Sequence, residues 1–288
     1  MNGTVVYAAP VDDPTTLPDL NEKFIRPLHD LLILATNEEM RVEEMALLLP
    51  EDLEKWWGDK KPLKHVREVG VVQRSELQWH TERPNAFHQV PLPLAALGKD
   101  PAAAISRWYE LRRELAGAGN SLFATINRRH RTLEPDLLNL LSVVEGYHRA
   151  RFDQPVVGEK EHRAAIDTMI AALPDQLKDN YRKRLKYANE QTQRQRIRSI
   201  FERAEPVASR TSGWTTLVHP LIMTRNFLTH WGEDSDDVLE GDDLLFALKR
   251  VEIVLRINLM LDLGIDPADI ESSVHISHGQ HAALRPIS

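Results

Sequence analysis

The chain has 288 residues, no cysteine, a formal net charge of -7 and a pI near 6.0. Its 42% hydrophobic and 27% charged residues are those of an ordinary globular protein, and two domains fit its length. The missing cysteines exclude disulfides, thiolate nucleophiles and Cys-containing zinc sites, and the acidic balance confines any nucleic-acid binding to local patches.

The first residues, MNGTVVYAAPVDDPTT, carry no basic region and no long apolar run, and no stretch reaches the roughly 18 apolar residues of a membrane span. That pattern predicts a cytoplasmic protein. Up to residue 100 the chain offers short apolar runs between Pro and charged residues: VVYAA, HDLLILAT, MALLLP, VREVGVVQR and AFHQVPLPL. They predict a mixed, β-containing (α+β) N-terminal domain over 1–100, with some helical character in LNEKFIRPLHDLLILA. DPAAAISRWYELRRELAGAGN reads as a helical connector over 101–121, with Ile105, Trp108, Tyr109 and Leu115 near one face and Gly117 to Gly119 ending it.

The pattern is helical almost throughout residues 122–272, which predicts a mainly α protein built on a C-terminal helical bundle. In EPDLLNLLSVVEGYHRARF, Leu137, Leu141, Val144 and His148 form one stripe to bury, with Tyr147 and His148 as packing residues. GEKEHRAAIDTMIAALP ends before Pro174, and a base-rich helical stretch runs on to Ala204. GDDLLFALKRVEIVLRINLMLDLGI starts at Asp242 and Asp243, ends at Gly264, and is apolar on more than one face. It is expected either at the centre of the bundle or shared with a second subunit. Residues 273–288 read as a flexible tail, so His275, His278 and His281 at three-residue spacing do not suggest a zinc site.

The segment TRNFLTHW, residues 224–231, concentrates the chemistry. It sets Arg225, Asn226 and His230 on one short helical piece: Leu217, Leu221, Ile222, Arg225, Leu228 and His230 follow a helical rhythm, Pro220 suits a first turn, and Gly232 stops it. Two other Arg-to-His spacings, Arg74 to His80 and Arg83 to His88, lie in strand- or loop-like sequence and are set aside. Acid/base chemistry on a phosphodiester without a metal needs a base for the attacking hydroxyl, a cation for the phosphorane and an acid for the departing oxygen. His230 can be acid or base, and Glu233, Asp234, Asp236 and Asp237 after it should favour the imidazolium. Arg225 offers phosphate a permanently charged fork of donors. Residues five apart on a helix sit about 140° apart, whereas Asn226 and His230 share a face. Asn226 is therefore placed to orient the imidazole, and Arg225 must reach around or be complemented by a second copy across a two-fold axis.

Two further features are singled out. Glu145 could project toward the motif helix and hold Arg225, or be a solvated structural acid. The basic run LKDNYRKRLKYANEQTQRQRIRSIFER, with Lys178, Arg182, Lys183, Arg184 and Lys186, is either a solvated helical face or an RNA backbone track in which Tyr181 and Tyr187 stack on bases. No Walker loop, GxGxxG turn or nucleophile elbow is present, and no cofactor is expected.

LLSVVEGYHR on an early helix, the long basic middle, TRNFLTH before an acidic loop, and a long apolar helix ending LGI together resemble the HEPN superfamily, most closely its ApeA-like branch, over residues 122–270. ISRWYELRRE is similar to that branch's junction with its N-terminal domain. The resemblance implies a metal-independent endoribonuclease of prokaryotic defence or toxin type, including abortive infection and antiviral defence. It implies RNA as substrate and a homodimer, with Arg225, Asn226 and His230 matching the family's Arg–polar–His motif. Residues 1–100 are shorter than that branch's usual N-terminal domain and read as a reduced version of it. The alternative is a catalytically silent HEPN module that dimerises and senses a nucleotide or protein partner, with Arg225 holding a phosphate.

Overall fold

The computed structural model describes residues 16–36, 46–48, 68–70, 92–98, 100–127, 132–208, 213–230 and 236–276. The N-terminal run opens with α1 (Leu17–Leu20), a π-helical turn (Asn21–Ile25) and α2 (Arg26–Thr36). Thr16 caps α1 by accepting from the Asp19 N–H. The π turn sits just before Pro27: Arg26 N–H reaches back to Asn21 O, the wider register that accommodates a residue lacking its own N–H. HDLLILAT therefore takes the helical character expected of LNEKFIRPLHDLLILA and is not strand. Leu31 and Leu34 share one helical face, and both are buried with Ile33 in the common core.

MALLLP and VREVGVVQR do contain strands, β1 (Ala46–Leu48) and β2 (Glu68–Gly70), which pair antiparallel with Leu47 opposite Val69. Most of the remaining expected strand runs, and both discarded Arg-to-His pairs, lie outside the described residues. Of AFHQVPLPL, Leu92 is buried and its N–H donates to Ala35 O at 3.0 Å, and Leu94–Leu97 form a 3-10 turn.

The expected connector is a longer element, α3 (Pro101–Ile126), with Asp100 accepting from Ala103 N–H and Pro at its start. Gly117 to Gly119 do not end it. Only Ala116 leaves helical geometry, at φ 38 and ψ -115, and the helix resumes. Burial on both sides of the kink outweighs the poor glycine propensity: Trp108, Leu111 and Leu115 before it and Leu122 and Phe123 after it enter one core. Trp108 meets Phe123 edge-on at 5.8 Å between ring centroids, and its indole N–H donates to Pro27 O. Arg112 ties α3 to α2 through the buried carboxylate of Asp30 at 2.6 Å, and donates across the kink to Asn120.

Next along the chain is α4 (Leu133–Phe152), which lies along α3. Leu137, Leu141, Val144 and His148 are buried as their spacing predicts. A Cβ at Gly146 would stand 2.9 Å from Ala118 Cβ, so the missing side chain lets the two helices approach. GEKEHRAAIDTMIAALP folds as α5 (Glu159–Ala171) and ends before Pro174 as expected. The base-rich stretch after it forms two helices, α6 (Asp175–Leu185), packed on α5 as a hairpin, and α7 (Gln193–Ala204). Asn189 clasps the base of the hairpin: its N–H-bearing amide donates to Val157 O, its side-chain oxygen accepts from Val157 N–H, and its carbonyl accepts from Val156 N–H, each at 2.9 Å.

After α7 come α8 (Val218–His230), α9 (Gly241–Asp262) and α10 (Pro267–Ile276). Residues 251–260 of α9 are buried without exception, and α9 packs on α4, α7 and α10. It is the central helix. Its apolar surplus is satisfied within the chain, so the surplus gives no argument for a second subunit. Its polar members are tied down: Arg256 donates to Leu34 O at 2.5 Å, and burial pushes that guanidinium down to about 10. At its end Asp262 accepts from Arg203 at 2.8 Å, Arg151 at 3.1 Å and the Tyr147 hydroxyl at 2.6 Å. Burial, then the Asp262 charge, holds the Tyr147 phenol above its ordinary range. Gly264 ends the run at φ 77, a position where glycine carries no Cβ penalty. α10 reaches Ile276, with Ser273 and Val274 buried in it. His278 and His281 lie outside the described residues. Among the described residues no helix is long and apolar enough to cross a membrane.

Candidate active site

The motif occupies the C-terminal half of α8. Its entry is fixed by Gly213 at φ 85, a 3-10 turn (Trp214–Leu217), and the carboxylate of Glu205, which accepts from the N–H groups of Gly213 at 2.7 Å and Trp214 at 3.0 Å. Trp214 is fully buried, with the Arg250 guanidinium 5.8 Å from its ring centroid. Pro220 is the third residue of α8, where an N–H has no intrahelical partner to lose. Thr224, inside the motif itself, is buried and works in both directions. Its hydroxyl donates to Pro220 O and accepts from Leu239 N–H, each at 2.8 Å. This bond brings the chain back to α8 after the acidic loop and before α9.

At about 100° per residue, Val218, Leu221, Leu228 and Arg225 fall on one side of α8, and His219, Asn226 and His230 on the other. The structure assigns opposite environments to the two sides. Val218 and Leu221 are buried and Arg225 is half-buried, whereas His219, Asn226 and His230 are exposed. Asn226 and His230 thus share an open face, as four-residue spacing requires. Arg225 leaves from the packed side and bends toward it, its guanidinium donating to Asn226 Oδ1 at 3.4 Å. Thr229 caps the arrangement by donating to Arg225 O at 2.8 Å.

Two expected partners go elsewhere. α4 does lie beside α8, yet Glu145 accepts from Gln193 at 2.5 Å, and no ion pair between Glu145 and Arg225 occurs among the described residues. Gln193 is the first residue of α7, which packs on α4. Asp237, one of the acids expected to sit by His230, meets His219 instead, at 3.2 Å from Nε2. His219 Nδ1 stands 3.0 Å from Arg194 of α7. Asp236 is exposed, and Glu233 and Asp234 lie outside the described residues.

The basic residues proposed for a nucleic-acid track are on α6 and just after it. Arg182, Lys183, Arg184 and Lys186 are exposed and Lys178 is partly so, with Lys178 paired to Asp175 at 2.7 Å. Tyr181 and Tyr187 project from the same segment, and the Lys186 ammonium lies 5.3 Å from the Tyr187 ring centroid. No described residue of α6 is buried, and Ile170 alone is buried in α5.

Residues 138–269, from α4 into α10, match the family described as Apea-like HEPN. The match supports an Apea-like HEPN assignment for this segment. The match includes α8 with Arg225, Asn226 and His230, the α5–α6 hairpin and the whole of the central helix. No curated protein and no solved structure matches the chain. An Apea-like HEPN domain fits a nuclease or a defence module. Sequence reading missed His219 and Arg194. Seven-residue spacing from His219 to Asn226 returns to the same helical face and was a usable signal, whereas the Arg194 contact joins two helices and had none.

Proposed function

We propose that the protein is a metal-independent endoribonuclease of prokaryotic defence or toxin type, acting as a homodimer. The observation that carries this reading is the exposed pair Asn226 and His230 on one face of α8, with the Arg225 guanidinium drawn toward them from the other side. One imidazole takes the proton from the 2′-hydroxyl, whose oxygen attacks the adjacent phosphorus. The P–O5′ bond breaks, and a second imidazole returns a proton to the departing oxygen. Arg225 neutralises the charge that develops on the phosphoryl oxygens, and Asn226 orients the ring. A single His230 cannot face both oxygens at once, so the reaction calls for the motif of a second copy across a two-fold axis. Lys178, Arg182, Lys183, Arg184 and Lys186 supply backbone contacts, and Tyr181 and Tyr187 supply stacking faces. Glu145 acts on this site through Gln193 and α7, not by holding Arg225 directly.

The test is incubation of the purified protein with mixed RNA in EDTA. Fragments should end in 2′,3′-cyclic phosphate and 5′-hydroxyl groups, His230→Ala should abolish cleavage without unfolding the exposed helix end, and Arg225→Lys should be strongly impaired because an ammonium lacks the planar fork. Full activity of His230→Ala, 5′-phosphate ends, or a monomer cleaving at full rate would each remove the corresponding part of the proposal. Binding of RNA without any cleavage would favour the silent HEPN module.

A further inference from the structure

Arginines of the bundle are mostly paired with carboxylates: Arg112 with Asp30, Arg151 and Arg203 with Asp262, Arg196 with Asp153 and Glu190. Arg194 departs from this pattern. It is exposed, no carboxylate pairs with it among the described residues, and its guanidinium is directed at the Nδ1 of His219. A guanidinium only donates, so Nδ1 must accept and carry no proton. The ring proton therefore sits on Nε2, where it is donated to Asp237 at 3.2 Å. Asp237 orients His219, and His219 orients Arg194. The chain of contacts sets no carboxylate against the arginine among the described residues, and its side chain is exposed.

The position of this device gives it a ligand. Arg194 is the second residue of α7, whose start is fixed by a capping box in which Thr192 N–H donates to Gln195 Oε1 at 2.8 Å and Gln195 N–H donates to the Thr192 hydroxyl. It follows the clasp of the basic hairpin at Asn189 by a few residues, and it touches α8 on the same exposed stripe as Asn226 and His230. Arg198, one turn further along α7, is exposed and among the described residues meets Glu202, at 4.0 Å. We propose that Arg194, held in place by His219 and Asp237, is a separate phosphate subsite for single-stranded RNA, lying along α8 between the basic hairpin and His230.

The proposal rests on the ribonuclease reading for its ligand class and adds a length requirement. From His219 to His230 α8 rises about 16 Å. A strand stacked at roughly 3.4 Å per nucleotide covers that distance in about five nucleotides. Arg194 is then the residue that touches the ligand, and His219 and Asp237 are positioning residues.

Fluorescence anisotropy of the full chain with labelled single-stranded RNAs tests this. For a ten-nucleotide RNA, Arg194→Ala should weaken binding about tenfold, the loss expected for one charge-assisted contact. The slope of log affinity against log salt should fall by about 0.7, and binding of a three-nucleotide RNA should stay unchanged. His219→Ala should lose part of the same affinity, and His219→Asn, which keeps an acceptor near the position of Nδ1, should recover it; a purely structural role would not show that rescue. Equal affinity and equal salt slope for wild type and Arg194→Ala would overturn the subsite, as would an equal loss for both RNA lengths. Arg194-dependent binding with no cleavage by the wild type would keep the subsite and remove the ribonuclease reading. Cleavage with no Arg194 dependence would do the reverse.

Discussion

The central helix α9 and the α5–α6 hairpin both lie in the segment that resembles the Apea-like HEPN family and are built on opposite rules. Every residue from 251 to 260 of α9 is buried, while α5 and α6 together bury Ile170 alone. The exposed large apolar side chains tell the same story: Val156, Val157, Met169, Leu177, Tyr181 and Tyr187 all lie on or beside the hairpin, with Leu17 the exception among the described residues. A helix that is apolar all round must be enclosed, and α9 is enclosed by α4, α7 and α10. The hairpin has no such enclosure. It is held by its own packing and by the Asn189 clasp, so its side chains are free to serve a ligand and not the core. The motif helix α8 combines the two rules, one side packed and the other open.

The sharpest way to break this contrast is in the core. Leu255→Ala should cost about 2–5 kcal/mol, because a fully buried leucine leaves a cavity that enclosing helices fill only in part. Chemical denaturation read by circular dichroism checks it, and a loss below about 1 kcal/mol would mean that α9 is not the centre of the fold. An intermediate effect should come from His148. Burial, then the nearby Arg196 charge, holds its imidazole below the ordinary 6.5, while Asp153 pulls the other way. Between the folded and the ordinary value the unfolded chain binds the proton and the folded chain does not, so stability rises with pH across that window. Acidification from about pH 7 to about pH 5 should therefore destabilise the wild type. His148→Leu should show a flatter stability profile over the same window, and an unchanged profile would show that His148 titrates normally. The smallest effect on stability should be in the hairpin. Met169→Ser and Tyr187→Ala should each stay within about 0.5 kcal/mol of wild type. Tyr187→Ala should nonetheless weaken single-stranded RNA binding by about 1–3 kcal/mol, the range for a lost stacking face. A large drop in melting temperature with no change in binding would reverse the proposed division of labour.

Much of the fold was legible because it depends on local periodicity. The stripe Leu137, Leu141, Val144 and His148, the all-round apolar α9, the Gly264 stop and the motif on a helix after Pro220 follow from spacing and from residues with special backbone demands. The separation of Arg225 from His230 around the helix was equally a local matter. Which of those two sides is packed was not, because it depends on Leu221 and Val218 meeting residues far away in sequence.

The same limit explains the misreadings. Gly117 to Gly119 look like a helix end, yet Leu122 and Phe123 are drawn into the core that Trp108 already occupies, and only Ala116 yields. HDLLILAT combines strand-like composition with the helical character of LNEKFIRPLHDLLILA, and burial against α3 decides for helix. Glu145 and Asp237 are both acids near the motif in sequence or in helix order, but Gln193 claims one and His219 the other. The sequence by itself determined helix type, helix faces and the residues able to do acid/base chemistry, since each is set within a few turns of chain. Only the tertiary structure decided which side of α8 is open, where the apolar surplus of α9 goes and which basic side chain each carboxylate meets. Those outcomes depend on contacts between elements whose sequence separation leaves no periodic trace.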